Sequence, residues 1–278
     1  MRQWLVISAV ILFISGCSSK FAYNNLDWLV YWYVDDYVEL SKQQESIFDE
    51  KLNQWLSWHR DHELKRYIDH LNQVKSSAMS EGLTPEQVNQ QIELAQQHWE
   101  RLRSKLAPEL AQMAVSLSDD QVVYLFAALE KENQEREENR ADMDDEERLE
   151  RRRDDLYEDV EEMIGKLTNE QKQIIELYVP LFESTVDEWI AYRRDVQQRA
   201  RVLFTMRREN PDFVSQLTEL MLNPDVYRSE KHKETQAHNR LLYTTMISEI
   251  HSTLTNKQKR KLEEEISAII ADLEDLMS

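Results

Sequence analysis

The chain has 278 residues, of which only 3 are Gly, 5 are Pro and 1 is Cys, and its formal net charge is −19. That length suffices for a buried core, but so little glycine excludes phosphate-cradling loops and tight hairpins, and a single Cys excludes an intrachain disulfide framework or a multi-Cys zinc site. The charge argues against nucleic acid, whose phosphates would be repelled, and 31% charged with 41% hydrophobic residues fits neither a disordered nor a polytopic chain.

Met1-Arg2-Gln3 is a short positive stretch, and Trp4 to Ile14 is an apolar run of 11 residues, too short to span a bilayer as an ordinary helix. The run closes on Ile14-Ser15-Gly16-Cys17, which resembles the lipobox of bacterial lipoproteins. The resemblance implies a signal peptide over residues 1–16, cleaved after Gly16, with Cys17 carrying a diacylglycerol thioether and an acylated amine. Each buried acyl CH₂ contributes about 0.8 kcal/mol and one chain binds only marginally, so several chains on Cys17 would tether the protein to a membrane. In the enterobacterial sorting pattern an Asp after the Cys retains the protein at the inner membrane. Ser18 stands there instead, which implies an outer-membrane lipoprotein on the periplasmic face.

Residues 17–40 are expected to be the anchor and an aromatic first helix. Seven of the chain's 25 aromatics fall between Phe21 and Tyr37. Helical spacing puts Leu26, Val30, Tyr33, Tyr37 and Leu40 towards a core and Trp28 and Trp32 on the other face, towards lipid headgroups or a protein partner.

Residues 41–278 are expected to form a helical bundle. Leu-[Ser/Thr]-x-x-Gln occurs five times, starting at Leu40, Leu83, Leu117, Leu167 and Leu254. Each reads as a capping box, with the hydroxyl at N-cap and Gln at N3 reaching back. Gly82 and Gly165 precede two boxes, where the previous helix would end on a left-handed residue. Between the boxes the apolar period is helical: Val88, Ile92, Ala95, Trp99, Leu102 and Leu106; Leu262, Ile266, Ile269, Leu273 and Leu276; Ile174 to Val196, with a kink expected at Pro180; and a looser stripe from Leu52 through Trp55, His59 and Leu64 to Val74. Asn210-Pro211 reads as a helix start and Asn223-Pro224 as a turn. No segment sustains period-2 alternation. The fold class is all-α, a bundle of long antiparallel helices, and the uneven box spacing argues against a solenoid. Residues 130–162 carry 17 acidic and 7 basic side chains and read as a solvated helical projection, with Asp144 to Glu147 an acidic capping box.

Candidate chemistry is sparse. His59 and His62 lie one turn apart beside Glu63, but no third metal ligand is indicated and no His-Glu-x-x-His pattern occurs. His59 reads as a hydrogen-bonded core residue, and Trp55 and Trp58 as core or interface packing. No nucleophile motif is present. Neither a cofactor, a metal nor a catalytic residue is expected.

The boxes resemble the Leu-Thr-x-x-Gln motifs of periplasmic stress chaperones of the Spy and Cpx type, which implies an all-α cradle. Asn25-Leu26-Asp27-Trp28, Trp32-Tyr33-Val34-Asp35-Asp36-Tyr37 and Trp55-Leu56 with Trp58-His59-Arg60 resemble an uncharacterised family of proteobacterial lipoproteins, a domain of unknown function that brings no activity with it. The expected function is a non-catalytic binding or envelope-assembly factor that presents Trp28, Trp32 and Trp58 to a protein partner. The alternatives are a chaperone-like protein and a hydrolase of envelope polymers.

Overall fold

The computed structural model describes residues 23, 25–141 and 143–277; the signal-like segment and Cys17 lie outside the described residues. Among these the fold is all-α and contains no strand. The helices are α1 (Leu26–Asp35), α2 (Lys42–Trp58), α3 (Leu64–Ala78), α4 (Pro85–Ala114), α5 (Asp119–Ala141), α6 (Asp145–Ile164), α7 (Asn169–Tyr178), α8 (Val186–Thr205), α9 (Phe213–Leu222), α10 (Glu230–Ser252) and α11 (Asn256–Met277). A π-helical turn, His59–Glu63, joins α2 to α3 without a break.

The long helix α4 is the axis, touching α2, α3, α9 and α10. Its contact face rests on Ala107 and Ala111, both fully buried, which let neighbouring helices approach closely. Trp99, on the expected apolar stripe, is instead 52% exposed. Three apolar clusters hold the bundle. One joins α6, α7 and α10 through Val160, Ile164, Ile175, Tyr178, Met246 and Ile250. A second joins α4, α5, α8 and α9 around Phe126, Phe204 and Phe213. The third packs α1 and α4 on Phe48, Leu52 and Trp55 of α2.

All five boxes close reciprocally, at Ser41, Thr84 and Thr168 and at Ser118 and Thr255. Asp144 with Glu147 makes the acidic box. Four boxes also meet in pairs. Gln44 and Gln121 exchange amide hydrogen bonds of 3.1 and 2.8 Å, and Gln171 and Gln258 do the same at 3.1 and 2.8 Å. Each Gln therefore caps its own helix and bolts it to another: Gln258 reaches the Lys166 carbonyl, and Gln121 the Glu39 carbonyl. Gln171 is fully buried, whereas Gln87 of the Thr84 box is exposed and caps its own helix start. Gln171→Ala should accordingly cost roughly 1–3 kcal/mol more than Gln87→Ala, because besides the cap it removes buried bonds to Gln258 and to the Thr253 carbonyl. Urea unfolding of the two variants measures the difference.

Several local expectations are corrected. Gly165 has φ +76°, but Gly82 has no positive φ and lies in the loop beyond α3, which ends at Ala78 with Met79 as its C-cap. Pro180 does not kink a continuous helix; it ends one. α7 stops at Tyr178, one 3₁₀ turn spans Val179–Leu181, and Phe182 is extended. Arg152 of α6 donates to the freed carbonyls of Val179 and Phe182. Asn210 does not cap α9 at its N-terminus directly; its side chain accepts from the Asp212 N–H in the turn before Phe213.

The charged segment 130–162 lies along its neighbours. Arg193 of α8 bonds Asn133 and Glu132, Arg194 holds Glu130 and Glu137, and Trp189 sits between the guanidinium groups of Arg136 and Arg193. Asn133 is fully buried, and Val160 belongs to the first apolar cluster. Arg136 and Arg140 of the segment thus reach Trp189 and Asp187 of α8, where the sequence shows only a solvated acidic run.

Candidate functional site

Trp28 and Trp32, one turn apart on α1, are 65% and 57% exposed. α1 docks on α2 by its opposite side, through Val30, Tyr31 and Val34, and contributes no fully buried residue. Tyr31 stands edge-on to Phe48 and its hydroxyl donates to Asp49 at 2.7 Å. Tyr33, expected in the core, is instead partly exposed and packs on Tyr37, because Val34 rather than Tyr33 takes the inner position. The helix ends at Asp35, and the N–H groups of Tyr37 and Val38 bond the Val34 carbonyl.

Trp58 does not share that exposure. It is half-buried at the end of α2 and its indole stacks on His62 at 6.3 Å, while His62 Nδ1 donates to the Trp58 carbonyl. A π turn places residues four apart nearly in register, which produces this stack. Trp55 is buried in the third apolar cluster.

Beneath the π turn lies a polar network that the sequence did not single out. Glu63, 1% exposed, receives both bonds of the Arg101 Nε–H at 3.1 and 3.0 Å. Arg101 also donates through Nη2 to His98 Nδ1. A guanidinium has no acceptor, so His98 carries its proton on Nε2 and gives it to His70 Nδ1, 3.0 Å away. His70 then donates through Nε2 to Gln91 Oε1 at 3.1 Å. One ordered chain of protons therefore runs from Arg101 to Gln91 and ties α3 to α4. Next to it, His59 lies between the hydroxyls of Tyr23 and Tyr67, at 3.0 and 3.2 Å, and the Tyr67 ring meets His98 edge-on at 4.6 Å. Burial, and then Arg60, pushes His59 down to about 4. Burial, followed by Arg101, pushes His98 down to about 4, and burial lowers His70 as well. Tyr67 is pushed up to about 12 by burial and by Glu63.

These groups are saturated by one another: each histidine is neutral and held in place, and the carboxylate is neutralised by Arg101. Among the described residues no set of three His, Cys, Asp or Glu side chains is placed to hold a metal ion. The network can hold two helices in register and seat Tyr23 just ahead of α1. It presents no nucleophile beside a base.

The chain matches a family of unknown function, DUF6279, over residues 36–233. It belongs to that family. The match begins at Asp36, directly after α1, and takes in the π turn, Glu63, His70, His98 and Arg101, while Trp28, Trp32 and α11 fall outside it. No curated protein and no solved structure matches the chain.

Proposed function

We propose that this is a lipid-tethered protein on the periplasmic face of the outer membrane, which acts by non-covalent binding to another protein through the outward face of α1. The lipid rests on Ile14-Ser15-Gly16-Cys17-Ser18. The observation that carries the binding reading is the exposure of Trp28 and Trp32 on a helix whose other face is already occupied. Indole rings bury large areas at low conformational cost and recur where interfaces draw their energy. Only ten residues separate Cys17 from Trp28, so a tether on Cys17 would confine these rings to a thin layer beside the bilayer and raise their effective concentration for partners there. Trp58, half-buried on His62, is not part of this face.

The reading is tested in cells with the full-length chain. Radiolabelled palmitate should enter the wild type and not Cys17→Ser. Trp28→Ala with Trp32→Ala should abolish co-purification of the partner after crosslinking, with helical content and melting temperature nearly unchanged. Unfolding of that double variant would make the rings structural. A glycan- or peptide-cleaving activity lost on changing one Asp or Glu would replace binding by hydrolysis.

A further inference from the structure

We infer that the partner of the α1 face is a cationic protein segment, an apolar surface bordered by Lys or Arg; this rests on the binding reading above and adds its chemistry. Asp35 follows Trp28 and Trp32 at helical spacing on the same stripe and is exposed. On the neighbouring helix α2, Glu45 and Asp49 are exposed too. The Asp49 carboxylate accepts from the Tyr31 hydroxyl at 2.7 Å, and after the larger effect of burial Asp49, Glu45 and Asp35 push that hydroxyl well above its usual range. Some acids elsewhere are paired, as where Lys51 and Lys105 hold Glu109, Arg194 holds Glu130 and Glu137, and Arg140 holds Asp187; what sets this patch apart is that its carboxylates border two exposed indole rings. No Lys or Arg among the described residues forms an ion pair with Asp35, Glu45 or Asp49.

The apolar side of the face supplies area and the carboxylates supply sign. A second copy of the chain would bring a further charge of −19, and anionic lipid would repel the same three groups, so both are disfavoured on this face. A Lys- or Arg-bearing segment gains from both features. Its aliphatic stems and guanidinium planes lie well against indole rings, and charges of opposite sign at the rim speed encounter and set specificity.

The test uses the full-length protein in nanodiscs and two fluorescent 18-residue helical peptides, one of Leu and Lys, the other of Leu and Glu with the same apolar face. Fluorescence anisotropy should show saturable binding of the Lys peptide and none of the Glu peptide. Trp28→Ala with Trp32→Ala should weaken it at least tenfold. Asp35→Asn with Glu45→Gln and Asp49→Asn should weaken it to a similar degree and flatten its salt dependence. Glu138→Gln with Glu146→Gln and Glu158→Gln, exposed acids of α5 and α6, should leave it unchanged. Equal binding of the Glu peptide, or an equal loss in the α5–α6 variant, overturns the cationic assignment and leaves the Trp face available to a partner of other chemistry. Lys-peptide binding that is indifferent to the two Trp changes overturns it as well, and with loss of partner crosslinking in the Trp variants absent, the binding reading falls with it.

Discussion

Arg101→Met should destabilise the protein by about 3–5 kcal/mol, the cost of leaving a buried charge without its partner. Glu63 is 1% exposed, and both contacts from Arg101 Nε would vanish together with the donor that orients His98. Arg66 is no substitute: its Nε stands 3.6 Å from Glu63 and its side chain is 56% exposed. The double variant Glu63→Gln with Arg101→Met should lose much less than the sum of the single changes, since it removes both charges from the interior. Urea unfolding followed by circular dichroism reads each value, and a loss below about 1 kcal/mol for Arg101→Met would show that the pair is effectively solvated.

The same network sets the response to acid. His59 and His98 are each held near 4 in the fold against 6.5 unperturbed. Between those values the unfolded chain binds more protons than the native one, so stability falls as pH falls through that window and is fully present above about 6.5. The slope for His59 is up to about 1.4 kcal/mol per pH unit, and smaller for His98, whose ring keeps more solvent. The urea midpoint should therefore be flat from pH 8 to 7 and drop steeply from pH 6.5 to 4. His98→Gln keeps an acceptor for Arg101 and a donor for His70, so it should cost little at pH 7.5 and make the acid limb shallower. An acid limb unchanged in that variant would assign the loss to other groups.

How legible all this was in the sequence depends on distance along the chain. Capping boxes are local, spanning a hydroxyl and an amide three residues apart, so all five starts and the acidic one at Asp144 could be read directly. The pairing of Gln44 with Gln121 and of Gln171 with Gln258 could not, because it depends on which helix starts meet in space. At Pro180 the apolar period continues through the break and so reads as a kink, whereas in the fold the helix ends there and Arg152 donates to the Val179 and Phe182 carbonyls. The π turn left a trace: the stripe Leu52, Trp55, His59, Leu64 takes one step of five where three or four is normal, the mark of an extra residue in the helix. Its consequence, Glu63 turned inward to Arg101 across 38 residues of chain, has no local signature. The outward face of Trp28 and Trp32 was legible from spacing alone, whereas Trp58 was not, since its place depends on the π turn.

In the cell, the outward face of α1 should meet a protein. The most direct test is site-specific photocrosslinking in intact cells, with benzoylphenylalanine placed in turn at positions 28 and 32, and at the exposed position 124 on α5 as a control. One discrete protein adduct should be shared by 28 and 32 and absent from 124. Adducts to lipid only at 28 and 32, or the same adducts from all three positions, would contradict it.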